Sequence, residues 1–349
     1  MTTSTTRRRG LARFVPAVAA ALGLSLVLAA CGGSDDEGGS GDGGNGDLSV
    51  TFLPKNLGNP YFDASSTGGE AAVEEFGGTF KEVGPSEATP DSQVSYINTL
   101  TQQGTGAIAI SANDPKAIGD ALQEARDAGT KVVTFDSDTD PEFRDLFVSQ
   151  ADAKGIAGKQ VELIAKAIGD KGKIAILSAS ANATNQNEWI RLMEEELKAN
   201  HPNIELVETV YGDDDDQTSF DKTAALLQKH SDLKGIVSPT TVGIAAAARY
   251  LSDSQYKGKV ALTGLGTPDQ MREYVKNGTV GSFALWSPED LGYLTAFASK
   301  ALIEGDIEGK EGDTFKAGKL GDYTVGADGV VVLGEPLEFN KDNIDDFNF

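Results

Sequence analysis

Short apolar, β-rich runs alternate with helical patterns along most of the chain, and that alternation leaves few architectures open. The strand candidates are Leu48–Leu53, Thr79–Val83, Ala107–Ser111, Lys131–Phe135, Lys173–Leu177, Ile204–Val210, Gly235–Ser238, Lys259–Thr263 and Gly281–Leu285. The helical stretches between them include Asp91–Gln103, Pro115–Ala128, Ala153–Ile168, Asn185–Asn200, Thr218–His230, Val242–Leu251 and Pro268–Asn277. Asp91 and Asp114 suit N-cap positions, and Pro115 and Pro268 suit first turns. Gly104, Gly129 and Gly278 suit C-terminal stops. Strands alternating with helices predict βαβ units, parallel sheets and right-handed crossovers.

There are too many strands for one small sheet, and the pattern restarts near Lys173. The expected fold class is therefore α/β, with two doubly wound parallel-sheet lobes joined by a hinge where the chain crosses between them. One lobe takes residues 48–150 plus 288–320, with the helix from Pro288 to Ile303 returning to it. The other takes residues 151–287 plus 321–349. The same alternation can close into a single (β/α) barrel, which is the alternative architecture.

Residues 1–30 carry Arg7, Arg8, Arg9 and Arg13, then an apolar run from Phe14 to Ala30 ending in Leu28-Ala29-Ala30 before Cys31. A basic start, an apolar run and small residues before a cleavage point make a signal peptide. The run is shorter than the roughly 20 residues a spanning helix needs. Cys31 is the only cysteine of 349 residues, which excludes an intrachain disulfide and a multi-cysteine zinc site. The Leu-Ala-Ala-Cys ending resembles a bacterial lipobox, which implies a lipidated Cys31 and anchorage on the outer face of the cell membrane. Residues 32–47, rich in Gly, Ser and Asp, read as a flexible leash. Gly41, Gly43 and Gly46 have dinucleotide-loop spacing but precede the first strand, so the match is spurious.

Without the leader, 26 basic residues face 53 acidic ones, a formal charge of −27. Such a surface repels phosphate backbones, so nucleic acid is excluded as a partner.

In open α/β sheets, ligands bind beyond the carboxyl ends of the strands. The segments at those positions begin with Lys55 and Asn56, followed by Tyr61 and Phe62. Asn113 and Asp114 follow the third strand, and Asp136 to Thr139 follow the fourth. In the second half come Ser178 to Gln186, Pro239 to Thr241, Gly264 to Thr267, and Trp286. Amides, hydroxyls, carboxylates and aromatics in this mixture suit a small, neutral, hydroxyl-rich ligand. Carboxylates and amides bond neighbouring hydroxyls, and rings cover the C–H face of a sugar. Asn, Asp and Ser at strand ends also cap the helices that follow, so each position has a structural alternative.

Trp189 lies one helical turn after Asn185 and reads as helix core. The run Asp213–Asp216 lacks the alternating ligands and glycine of a calcium loop, and reads as a solvated helix start. No nucleophile elbow, phosphate loop or zinc-type histidine spacing occurs, and no metal or cofactor is expected. His201 and His230 fall at polar helix ends. Asp136 with Asp138 can imitate a glycosidase pair, but two residues on one loop need not flank a bond.

From about Leu48 to Phe349 the chain resembles the type I periplasmic sugar-binding proteins of ABC importers, within them the rhamnose-binding branch and the autoinducer-2 receptors. The residues that carry this are Leu53-Pro54-Lys55-Asn56 with Asn59-Pro60-Tyr61-Phe62, Thr134-Phe135-Asp136-Ser137-Asp138-Thr139, Thr184-Asn185-Gln186-Asn187 with Trp189, Gly264-Leu265-Gly266-Thr267-Pro268 and Asn340-Lys341-Asp342-Asn343-Ile344. The resemblance implies a monomeric binding protein, not an enzyme, that hands a sugar to an ABC permease by hinge closure. It implies ligand contacts from Lys55, Asn56, Tyr61, Phe62, Asn113, Asp136, Asp138, Asn185, Gln186, Pro239, Thr241, Gly266 and Trp286. Lys55, Asp136, Gln186 and Pro239 keep the autoinducer-2 receptors' pattern. Asn185 stands where those receptors have Asp, and Thr241 where they have Ala. Those departures favour a 6-deoxyhexose, L-rhamnose, with Phe62 or Trp286 taking the methyl group.

Overall fold

The structure is a computed structural model and describes residues 48–349. The expected signal peptide, the lipidated Cys31 and the linker to residue 47 lie outside the described residues. In chain order the elements are β1 (Ser49–Leu53), α1 (Pro60–Glu75), β2 (Thr79–Glu82), α2 (Val94–Gln103), β3 (Ala107–Ile110), α3 (Gly119–Asp127), β4 (Lys131–Phe135) and β5 (Leu146–Ala151). Then come α4 (Ala153–Ile168), β6 (Gly172–Ser178), α5 (Thr184–Asn200), β7 (Ile204–Tyr211), α6 (Asp216–Lys229), β8 (Leu233–Ser238), α7 (Thr241–Ser252), β9 (Ala261–Gly264), α8 (Pro268–Lys276) and β10 (Ser282–Leu285). The chain ends with α9 (Pro288–Glu304), β11 (Thr314–Lys316), β12 (Asp322–Thr324), β13 (Val330–Gly334) and β14 (Leu337–Asn340).

Two parallel sheets form. One has the order β13-β5-β4-β3-β1-β2 and the other β7-β6-β8-β9, extended past β9 by a single bridge from Leu265 to Ala284 in β10. Strands such as β3, whose four residues are all buried, read as continuous apolar runs because helices cover both faces. In each sheet the strand order reverses once, between β1 and β3 in the first and between β6 and β8 in the second. Those switch points open crevices beyond the carboxyl ends of the strands. The chain passes between the lobes at Ala151–Ala153, Leu285–Pro288 and Gly334–Leu337. This is the α/β fold of two doubly wound lobes rather than a barrel.

Local chemistry sets several boundaries. Asp152 caps α4 by accepting from the N–H groups of Lys154 and Gly155, each at 3.0 Å. Ser287 caps α9 ahead of Pro288, and Gly305 ends it in the left-handed region at φ 77°. Gly104, Gly129 and Gly278 also hold positive φ at helix ends. Asp91 is not a cap: α2 begins three residues later, behind Gln93. Instead the buried Gln93 amide donates to the carbonyls of Pro54 (3.0 Å) and Ser111 (2.8 Å) and accepts from the N–H of Asn113, tying the tips of β1 and β3 together.

Three parts of the architecture differ from the sequence reading. Strand β5 follows only a short turn at Pro141–Phe143, so it breaks the strand–helix rhythm that marks the others. Helix α1 is not among the helical stretches named from the sequence, and its Gly68-Gly69 pair has poor helix propensity. Its glycines serve packing instead: a Cβ on Gly68 would lie 1.9 Å from the Glu289 carbonyl oxygen, and one on Gly292 would lie 1.8 Å from that of Ser65. The tail is also divided. Residues 321–349 were expected on the second lobe, but β13 pairs in parallel with β5, Val330 opposite Phe147, and buries Val331 in the first lobe. Only β14 onward joins the second, pairing antiparallel with β10.

The α1–α9 contact makes a stability prediction. Gly292→Ala forces two backbones apart and is expected to cost about 1–3 kcal/mol, as overpacking does. Thermal denaturation measures it, and an unchanged midpoint would contradict the close approach.

Candidate ligand-binding cleft

The strand tips of both lobes meet around a small cavity with a mixed polar and aromatic lining. It is lined from the first lobe by Lys55, Asn59, Tyr61, Phe62 and Asp136. Asn185, Gln186, Trp189, Asp214, Pro239, Thr240, Thr241 and Leu265 line it from the second, and Leu285 and Trp286 from the crossing after β10.

Each side chain is placed by its element. Asn59 caps α1, its side-chain oxygen accepting from the Tyr61 N–H at 3.1 Å, and so brings Tyr61 and Phe62 to the cavity on the helix's first turn. Asp136 follows β4 with φ 60°, a left-handed conformation that Asp tolerates better than most residues. Ser111 at the tip of β3 donates to its Oδ2 at 2.7 Å. Asn185 and Gln186 open α5, and Thr240 and Thr241 open α7.

The polar centre spans the lobes. Lys55 Nζ lies 3.7 Å from Asp136 Oδ2 and donates to Asn185 Oδ1 at 3.3 Å, and Asn185 Nδ2 lies 3.4 Å from Asp136 Oδ1. Lys55 and Asp136 are only 4% and 5% exposed. Burying such a pair is costly unless its remaining donors and acceptors are well used. Here the mutual distances exceed the usual 2.9–3.0 Å, and the ammonium has two further hydrogens to give. The centre is thus loosely satisfied and chemically able to exchange these contacts for ligand hydroxyls. By contrast Gln186 is already committed: its Oε1 accepts from Ser178 Oγ (2.6 Å) and the Ala179 N–H (2.8 Å).

An aromatic wall stands opposite. Trp286 Nε1 donates to the Tyr61 hydroxyl at 2.9 Å, with the rings perpendicular, and Trp189 meets Trp286 edge-on at 6.0 Å between centroids. Burial, then the charge of Asp136, pushes the Tyr61 phenol well above its usual value, so it keeps its proton. Trp286→Phe removes the donor and strands the buried phenol oxygen. It is expected to weaken ligand affinity about tenfold in a titration, and equal affinity would show that the bond does not shape the wall.

Four expected contacts lie elsewhere. Asp138 is held by Arg144, whose Nε and Nη2 reach its two oxygens at 2.7 and 2.9 Å. It therefore does not pair with Asp136 across one bond. Asn113 donates to the Lys55 carbonyl at 2.9 Å and supports the loop from behind. Gly266 is packed among Met271, Ile244 and Phe283, where a Cβ would clash. Asn56 lines an open groove beside the cavity. Sequence reasoning placed Asn59, Thr240 and Leu265 at strand tips without naming them as contacts, left out Leu285, and read Trp189 as core and Asp214 as solvated. Trp189 is both buried and a cavity wall, as its position one turn after Asn185 allows.

Among the described residues no cluster of three or more metal-ligating side chains occurs, and no helix is long and apolar enough to cross a membrane. Residues 50–307 match the periplasmic binding protein domain family. A sugar ABC transporter from Actinomyces odontolyticus is 54% identical, with 86% of this chain and 97% of that one covered and a TM-score of 0.71. An ABC transporter solute-binding protein from Clostridium phytofermentans with bound L-rhamnose is 37% identical over the same shares of the two chains, with a TM-score of 0.83. LsrB from Clostridium saccharobutylicum in complex with AI-2 is 28% identical over 86% of this chain and all of that one, with a TM-score of 0.81. The chain belongs to the periplasmic binding proteins, as a type I sugar-binding protein of ABC import systems and not an enzyme.

Proposed function

We propose that this is a lipid-anchored, extracytoplasmic solute-binding protein that captures L-rhamnose in the interlobe cleft and delivers it to an ABC permease. The observation that carries the reading is the loosely bonded Lys55–Asp136–Asn185 centre beside an aromatic wall, at the strand tips where the two lobes meet. Lys55 and Asp136 act from the first lobe, and Asn185, Gln186, Pro239 and Thr241 from the second, while Tyr61, Phe62, Trp189 and Trp286 cover the apolar face and the methyl group. A ligand that touches both lobes favours the closed arrangement over the open one, and the closed form is what the permease receives. Anchorage through Cys31 and a monomeric state complete the proposal.

The L-rhamnose-bound relative at 37% identity favours this sugar. The AI-2 complex at 28% identity supports a second reading, AI-2 capture, because Lys55, Asp136, Gln186 and Pro239 are shared with that pattern. Titration calorimetry of residues 32–349 with each ligand decides between them. One-to-one binding of L-rhamnose without AI-2 heat is the expected result. Binding of AI-2 alone overturns the rhamnose assignment, and binding of neither leaves the sugar to be found.

A further inference from the structure

We propose that Asp214 is the second lobe's carboxylate acceptor for the ligand, and that it restricts the cleft to neutral, hydroxyl-bearing sugars. The inference rests on the sugar-binding reading above and adds a residue to it.

Asp214 lies in the turn between β7 and α6, and backbone bonds fix that turn. The Gly212 N–H donates to the Ser178 carbonyl and the Asp213 N–H to that of Ala179, each at 2.9 Å. Asp213 and Asp214 hold φ 55° and 49°, two consecutive left-handed residues, a costly backbone that persists only when its surroundings impose it. The turn separates the four acids. Asp213, Asp215 and Asp216 line the neighbouring groove, whereas Asp214 also lines the cavity with Lys55, Asp136 and Asn185.

Its carboxylate is anchored at one end only. Thr240, at the N-cap of α7, donates its hydroxyl to Oδ1, beside a helix N-terminus where negative charge is favoured. Oδ2 has no hydrogen-bond partner among the described residues. Asp214 is half-buried, and desolvation pushes its carboxyl up, against the Thr240 bond and the Lys55 charge.

The rest of the second lobe's lining is neutral, and Gln186 has already spent its oxygen. Asp214 Oδ2 is therefore that lobe's one charged acceptor, and a sugar hydroxyl donating to it makes a charge-assisted bond. With Asp136 it sets two carboxylates against Lys55, and no arginine lines the cavity, so a sugar acid is repelled.

The test is titration of wild type, Asp214→Asn and Thr240→Val with L-rhamnose and a panel of neutral aldoses, with D-galacturonate as the anionic probe. Asparagine keeps the shape, the left-handed tolerance and an oxygen for Thr240. Asp214→Asn should therefore leave the ligand-free melting point within about 2 °C while lowering neutral-sugar affinity about 10- to 100-fold. Thr240→Val should lower it less, since it frees the carboxylate without removing it. A wild type that binds a neutral sugar and an Asp214→Asn variant within threefold of it overturn the role of Asp214 and leave the sugar reading standing. Equal wild-type affinity for D-galacturonate and the neutral sugar overturns the charge argument. A wild type that binds no neutral aldose overturns both readings, and is recognised without any variant.

Discussion

Asp136→Asn is expected to remove most of the protein's affinity for its sugar, by about 3–4 kcal/mol or roughly 100- to 1,000-fold. The substitution is nearly isosteric, and asparagine accepts the φ of 60° that this position holds, so the backbone has no reason to move. What changes is the charge and the hydrogen-bonding direction. Ser111 Oγ needs an acceptor at Oδ2 (2.7 Å), which turns the new amide nitrogen toward the Oδ1 position, where Asn185 Nδ2 lies at 3.4 Å. Two donors then face each other, and Lys55, 4% exposed, loses the carboxylate beside it. A ligand hydroxyl that donates to Asp136 finds a donor in its place. Titration calorimetry reads the affinity, and a ligand-free melting curve shows that the fold survives. Binding within threefold of wild type would mean that Asp136 only braces Lys55 and does not touch the sugar.

The same chemistry explains how far the sequence could be read. The alternating pattern exposes the two-lobed fold because a parallel strand covered on both faces must be apolar along its length, as Ala107–Ile110 is. Strand β5 and the division of the tail escape that logic. The first is reached from β4 through a short turn with no helix between, and β13 is recruited through pairing with a strand almost 200 residues away, which no local pattern records.

At the cleft, strand-tip position narrows the search to a few segments, and within them the family resemblance picks out Lys55, Asp136, Asn185, Gln186, Pro239 and Thr241, which with Trp286 all reach the cavity. The same rule fails for Asp138 and Asn113, because a tip has two sides. One faces the cleft, and the other holds the loop that carries the first. Asp214 is hidden for the opposite reason: in a run of four aspartates only the backbone's left-handed turn decides which one faces inward.

Asp138 then becomes the origin of the largest expected loss of stability. Arg144 makes a two-pronged bond to its carboxylate, donates from Nη1 to the Asp328 carbonyl at 2.9 Å, and stands 5.8 Å from the centre of the Phe147 ring. Asp328 precedes β13, so one buried guanidinium ties the tip of β4 to the segment that docks the sheet's edge strand and leads into the third crossing.

Arg144→Met removes the cation but leaves Asp138 largely buried. Burial already pushes that carboxyl up against the pull of Arg144, and the aspartate keeps only Thr134 and the Thr139 N–H as donors. Breaking such a pair on one side costs about 3–5 kcal/mol, which for a domain of this size is a fall of roughly 6–15 °C in melting temperature. Adding Asp138→Asn should restore part of the loss, because the stranded charge goes with it. Hydrogen exchange should quicken first at Val330–Gly334, the strand that the guanidinium secures. Sugar affinity should hardly change, since neither residue lines the cavity. A melting point within 2 °C of wild type for Arg144→Met would show that the pair contributes little. A large affinity loss at unchanged stability would instead return Asp138 to the binding site.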